Sequence, residues 1–170
     1  MSTLSAIENK IIDNVAVVVA EWKAQNKSIV FTNGCFDILH RGHIEYLAKA
    51  SDFGDKFIVG INSDNSVKSL NKGDNRPIQD EYSRALIIAT LNFIDAVVVF
   101  NEETPYDLIQ KIQPDVLVKG GDYDPLITDK TDKKYIIGSN MVKNNGGRVE
   151  VIQFVEGYST SIIEEKIKSS

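Results

Sequence analysis

The stretch FTNGCFDILHRGH, residues 31–43, leaves a short apolar run, turns at Asn33-Gly34 and delivers the chain to a helix start. Its upstream flank, SIVFT (28–32), has the content of a buried strand. Downstream of Gly42, Ile44, Leu47 and Ala48 share a helical face, and Gly54 is a C-terminal stop. The same alternation then recurs. FIVGI (57–61) reads as a strand, followed by the helix-starting Asn-Ser-Asp at 62–64. The polar NKGDNRP (71–77) leads into a helix holding Tyr82, Ala85, Leu86 and Ala89. AVVVF (96–100) is a third strand, with Thr104-Pro105 as a cap and first-turn proline. VLV (116–118) and RVEVIQF (148–154) are the last two strands, and a final helix begins near Ser159–Ser161. Near-continuous Val/Ile strands alternating with helices specify an α/β fold: a single, doubly wound parallel sheet covered on both faces. Ligands of such sheets bind beyond the carboxyl ends of the strands, near the switch in strand order.

Ahead of this unit, Ile7, Ile11, Val15, Val18 and Trp22 recur at three- and four-residue steps. That spacing predicts one additional N-terminal amphipathic helix, and hence a helical extension over 1–27 before a ligand-binding domain over 28–170. Its apolar stripe could support a homodimer. The 170 residues suit compact α/β organisation, and 42% apolar with 25% charged residues is ordinary for a globule. A net charge of −5 argues against a nucleic-acid surface. The single cysteine, Cys35, excludes an internal disulfide or thiolate cluster. No apolar run approaches the ~18 residues of a membrane span, and the N-terminus has neither a basic start nor an h-region. A cytoplasmic protein is the expectation.

The loop at 31–43 carries the chemistry. A helix N-terminus offers unpaired N–H groups and partial positive charge, which suits phosphate. Gly34 allows a close turn past a ligand, and Gly42 removes a Cβ at a second approach. His40 and His43 are the only histidines. Three apart at a helix start, they can point at one locus and grip a phosphate more tightly as transition-state charge builds. The P-loop pattern is absent, as is G-x-G-x-x-G after the first strand. No H-E-x-x-H spacing or third soft ligand supports catalytic zinc.

Thr32-x-Gly34-x-Phe36-Asp37 followed by His40-x-Gly42-His43 resembles the signature of the HxGH, cytidylyltransferase-like nucleotidyltransferases. The whole of FTNGCFDILHRGH more specifically resembles the D-glycero-β-D-manno-heptose 1-phosphate adenylyltransferases. Further ordered matches are GINSD (60–64), KGDNRPI (72–78) with Arg84, VKGGDY (118–123) and EGYSTS (156–161). The resemblance implies a Rossmann-like nucleotidyltransferase fold. It also implies in-line attack of a sugar phosphate on the α-phosphorus of ATP, with pyrophosphate leaving and no covalent enzyme intermediate. By the same resemblance His40, His43 and Lys119 would be catalytic. Thr32, Asn33, Gly34, Cys35, Phe36, Gly42, Gly120, Asp122, Ser159, Thr160 and Ser161 would join them around ATP. Lys68, Lys72, Arg76 and Arg84 would contact triphosphate or sugar phosphate. Mg²⁺ would travel with the triphosphate, held by phosphate oxygens and water.

Several of these residues have structural alternatives. The four cations could form a solvated face, and Lys119-Gly120-Gly121-Asp122 could simply turn the chain after the fourth strand. Ser161-x-x-Glu164 fits a capping box, which is compatible with an anion site. Cys35 reads as a small packing residue rather than a nucleophile. Asp37 reads as a turn-fixing side chain. Related cytidylyltransferases carry an arginine shortly before the Ser-Thr pair, but here Phe154-Val155-Glu156-Gly157 has none. That lowers the case for a glycerol phosphate cytidylyltransferase and suits the heptose branch. The alternatives are a CTP-dependent enzyme acting on a polyol or amino-alcohol phosphate, and a non-catalytic nucleotide-binding module, against which intact His40, His43 and Lys119 argue. The heptose branch feeds bacterial surface carbohydrate such as lipopolysaccharide. Many of its members fuse this activity to a sugar kinase. With no room for a kinase here, a separate one is expected to make the substrate.

Overall fold

A computed structural model describes residues 2–70 and 76–169. Five strands, β1 (Ile29–Gly34), β2 (Lys56–Asn62), β3 (Ala96–Phe100), β4 (Val116–Gly120) and β5 (Arg148–Ile152), form one parallel sheet in the order β3-β2-β1-β4-β5. The order reverses between β1 and β4, so their carboxyl ends open the crevice where an α/β sheet binds ligands. Successive strand residues face opposite ways. Ile29, Phe31, Ile58, Val98 and Leu117 pack into one core, with α2 (Val15–Ala24), α6 (Tyr106–Ile112) and α7 (Ser139–Asn144). Val30, Val59, Ile61, Val97 and Val118 pack into the other, with α3 (Arg41–Ser51) and α5 (Glu81–Ala89). Burial on both faces is the reason these strands read as unbroken Val/Ile runs.

The N-terminus differs from the expected single helix. It forms α1 (Thr3–Glu8), an extended segment, and α2. Ile12 N–H donates to Val97 C=O at 2.9 Å, and Val97 N–H donates to Lys10 C=O at 2.7 Å. The segment thus occupies the open edge of β3, whose unpaired backbone groups outweigh the helical pattern at Ile11. Asp13-Asn14 then lets the chain restart as a helix. Val15 and Val19 enter the same core as the sheet.

Two helix starts also depart from expectation or were not foreseen, and the last helix starts where expected but is capped differently. Pro105, not Thr104, caps α6: its C=O accepts from Ile109 N–H at 2.9 Å with no side-chain cap. Helix α7 begins after Gly138, at φ +85°, where a Cβ would sit 2.7 Å from Ile109 Cδ1. Helix α8 (Thr160–Lys168) is capped by Ser159, whose Oγ accepts from Ile162 N–H at 3.2 Å. The Ser161–Glu164 capping box is therefore absent, since Glu164 pairs with Arg76. Helix α4 (Asp64–Ser69) starts as expected, on Ser63. No helix among the described residues is long and apolar enough to cross a membrane.

Candidate active site

The loop leaving β1 is wound tightly around its own aromatic ring. A Cβ on Gly34 would come within 2.9 Å of the Phe36 ring, and Phe36 itself takes φ +49°. The Phe36 ring meets His43 edge-on at 5.2 Å. His40 is the N-cap of α3, its Nδ1 accepting from His43 N–H at 3.4 Å. With Nδ1 an acceptor, a neutral His40 carries its proton on Nε2. The two imidazoles stack with centroids 3.8 Å apart and planes 20° from parallel. A Cβ on Gly42 would lie 3.1 Å from the His40 ring and 3.3 Å from Tyr158 Cβ, so glycine permits the close fit here.

This packing sets the charge state. Burial, and then the neighbouring His40, push the His43 pKa down to about 4, while the Ile38 carbonyl offsets part of the fall. Burial lowers His40 as well. Both rings are neutral N–H donors near pH 7 rather than fixed cations. His43 Nδ1 is buried with no partner in hydrogen-bond geometry among the described residues, a polar atom awaiting a ligand.

A cavity of about 630 Å³ lies over the carboxyl ends of β1–β4. Of the residues assigned to ATP from the sequence, Asn33, Gly34, Cys35, Phe36, His43, Lys119 and Gly120 line it. Lys119 Nζ donates to Asn33 Oδ1, joining β4 to β1 across the switch point. His40, Gly42, Ser159, Thr160 and Ser161 do not line this cavity. They gather beside it, because Tyr158 packs on Gly42 and hydrogen-bonds Arg41 at 3.1 Å, which sets the N-terminus of α8 next to that of α3.

Other expected ligand contacts are turned inward. Thr32 is 0% exposed, and its Oγ1 donates to Val118 C=O at 2.9 Å and lies 2.6 Å from Tyr46 Oη, tying β1 to β4 and α3. Arg84 is also 0% exposed and donates to Gln79 C=O, Cys35 C=O and Asp64 Oδ1. Arg76 bridges Asp37 Oδ2 at 2.7 Å and Glu164. Two carboxylates already answer its charge, so it braces the loop against α8. Asp37, 4% exposed, plays the turn-fixing part expected of it. Burial alone would raise its pKa, but N–H groups of Gln79 and Ile78 together with Arg76 more than offset that and hold it low. Lys68 is exposed on α4 outside the cavity, and Asp122 lines a separate depression with Tyr123 and Lys134. Lys72 falls outside the described residues.

The cavity wall also includes Tyr46, Glu103, Lys130, Asp132, Lys133 and Tyr135, which the motifs did not single out, and Asn62, Tyr123 and Phe154, which lay in the quoted stretches without an assigned role. The available signal was positional: in a parallel sheet every connection leaving a strand's carboxyl end crosses the ligand edge. The 121–138 connection, which carries Lys130, Lys133 and Lys134 among four aspartates, follows β4. Among the described residues no three His, Cys, Asp or Glu side chains converge as a metal cage. Cys35 Sγ donates to Asn62 Oδ1 at 3.7 Å. Cys35→Ala is expected to keep kcat/KM within about threefold of wild type. Loss of turnover in a folded variant would overturn its packing role.

A cytidylyltransferase-like family model matches residues 31–166. The chain is 50% identical over 158 residues to the bifunctional protein HldE of Wolinella succinogenes, covering 93% of this chain and 31% of that protein. HldE of Geobacter metallireducens is 49% identical over 158 residues, with 93% and 30% covered. The chain thus spans about a third of the length of these relatives. Among solved structures, a lipopolysaccharide core biosynthesis protein from Thermoplasma volcanium superposes with TM-score 0.59 at 27% identity, covering 78% of this chain and 99% of that one. Pantoate-beta-alanine ligase from Francisella tularensis superposes with TM-score 0.58 at 17% identity, covering 93% and 76%, a likeness of fold alone. On its sequence, its sheet order and the HxGH loop at the switch point, the chain belongs to the cytidylyltransferase-like family of nucleotidyltransferases.

Proposed function

We propose that this chain transfers AMP from ATP to a heptose 1-phosphate, releasing pyrophosphate and forming an ADP-heptose for bacterial surface carbohydrate. The observation that carries the reading is the stacked His40–His43 pair at the N-terminus of α3, set beside a cavity with Lys119 across the strand switch. The half-identity to HldE proteins supports the heptose class.

An oxygen of the acceptor phosphate attacks the α-phosphorus, the bond to the bridging β-phosphate oxygen breaks, and pyrophosphate leaves in line. Such a reaction needs positioning and charge neutralisation more than a nucleophile. The helix N-terminus and the two imidazole N–H groups would bind the non-bridging oxygens and tighten as charge builds. Lys119, held by Asn33, would add a positive charge from β4. Magnesium, entering on the triphosphate, would neutralise the leaving pyrophosphate. A sugar kinase activity would supply the acceptor.

The test is pyrophosphate release by the purified protein with Mg²⁺ and D-glycero-β-D-manno-heptose 1-phosphate, comparing ATP with CTP. An ATP-dependent signal that vanishes without the sugar phosphate is expected. A CTP preference would keep the mechanism and replace the branch. Silence with both nucleotides, despite measurable ATP binding, would sink the enzymatic reading.

A further inference from the structure

Resting on the adenylyl-transfer reading, we infer that Lys130 and Lys133, in the connection between β4 and α7, bind the phosphate of the sugar-phosphate acceptor. Both residues line the cavity. The cavity is cut between two walls of different origin. Helix α3, with His43 and Tyr46, packs on the sheet face of the Val30–Val118 core. The 121–138 connection runs into Ile136, buried in the opposite core with Ile109 and Val142. Lys130 and Lys133 therefore face the site from the α6–α7 side, and His43 from the α3 side.

In-line displacement places entering and leaving groups on opposite sides of the α-phosphorus. With pyrophosphate leaving toward the N-termini of α3 and α8, the acceptor phosphate must arrive from the other wall, where the two lysines stand. The neighbouring charges agree. Arg76 and Arg84 are engaged by Asp37, Glu164 and Asp64. By contrast, no hydrogen bond or ion pair among the described residues ties down either loop ammonium. The aspartates around them are turned to the backbone: Asp129 accepts from Thr131 N–H at 2.9 Å, and Asp132 from Lys134 N–H at 2.7 Å. Asp132 and Glu103 also line the cavity. Carboxylates there would repel a triphosphate but can accept hydrogen bonds from sugar hydroxyls. Lysines beside carboxylates thus suit a phosphorylated polyol better than a nucleotide tail.

The experiment is steady-state kinetics of the Lys130→Ala/Lys133→Ala double variant with ATP and D-glycero-β-D-manno-heptose 1-phosphate, each substrate varied in turn. KM for the sugar phosphate should rise about tenfold or more, while KM for ATP stays within about twofold. The Lys130→Arg/Lys133→Arg variant should recover most of the loss, since charge and reach are kept. A rise in KM for ATP alone would assign the lysines to the triphosphate and overturn the inference, as would unchanged constants for both substrates. If the wild-type protein itself releases no pyrophosphate with the sugar phosphate, the inference falls together with the proposed function. An active wild type with an indifferent double variant removes the inference alone.

Discussion

His43→Ala is expected to lower kcat by about 10²–10³-fold while leaving ATP affinity within a few-fold. The asymmetry follows from how the ring is held. His43 is neutral, pressed against His40 and edge-on to Phe36, with a buried Nδ1 that has no partner in hydrogen-bond geometry among the described residues. On the proposed mechanism, a neutral N–H would give little to a ground-state triphosphate that magnesium, Lys119 and the helix N-termini would already meet. It gives more to the pentacoordinate phosphorus, whose oxygens carry increased charge in a site fixed beforehand. Loss of affinity matching loss of turnover would make His43 a binding residue, and near-normal turnover would remove it from the reaction.

The same residue leaves a second signature. Its folded pKa of about 4 lies below the ordinary 6.5, so between those values the unfolded chain binds more protons than the folded one. Stability should therefore fall as pH drops from about 6.5 to 4, by about 2–3 kcal/mol from this ring. Denaturant titrations at pH 7 and pH 4.5 should show a smaller difference for His43→Ala than for wild type.

The fold was legible where one local signal dominated. AVVVF became β3 residue for residue, because a strand buried on both faces needs no alternation to identify it. Gly34 and Gly42 were legible as places of close approach, but what comes close is the Phe36 ring at the first and the His40 ring and Tyr158 at the second, where the sequence suggested a ligand. The N-terminal helix was misread because Ile11 answers to Val97, 86 residues along the chain, and the demand of an open sheet edge is invisible locally. Arg76 and Arg84 carried the right charge for phosphate. Their carboxylate partners at Asp37, Glu164 and Asp64 sit 20 to 88 residues away, and only the tertiary structure reveals that these charges are already answered. Lys130 and Lys133 were passed over because a connection of mixed charge looks like any solvated loop until a cavity is found beneath it.

Arg84→Ala is expected to destabilise the protein by about 3–5 kcal/mol, a fall in Tm of about 10–15 °C. The guanidinium is wholly buried and joins three segments, donating from Nε to Gln79 C=O at 3.0 Å, from Nη1 to Cys35 C=O at 2.8 Å and from Nη2 to Asp64 Oδ1 at 2.8 Å. Truncation strands the two carbonyls in a space too dry to satisfy them, at a cost of about 1–3 kcal/mol each, and opens a void where the side chain lay. Asp64 is half-exposed and can turn to water, so it adds less. The damage should reach the chemistry, because Cys35 C=O anchors the turn that aims Phe36 at His43. Below its melting temperature, the variant should lose kcat more than it loses affinity for either substrate. Arg84→Lys should recover less than half the stability, since one ammonium cannot span three acceptors fixed by a planar fork. An arginine that bound substrate phosphate would behave differently, with KM raised, Tm unmoved and lysine a fair replacement. A melting temperature within about 2 °C of wild type together with a raised KM would therefore return Arg84 to the ligand.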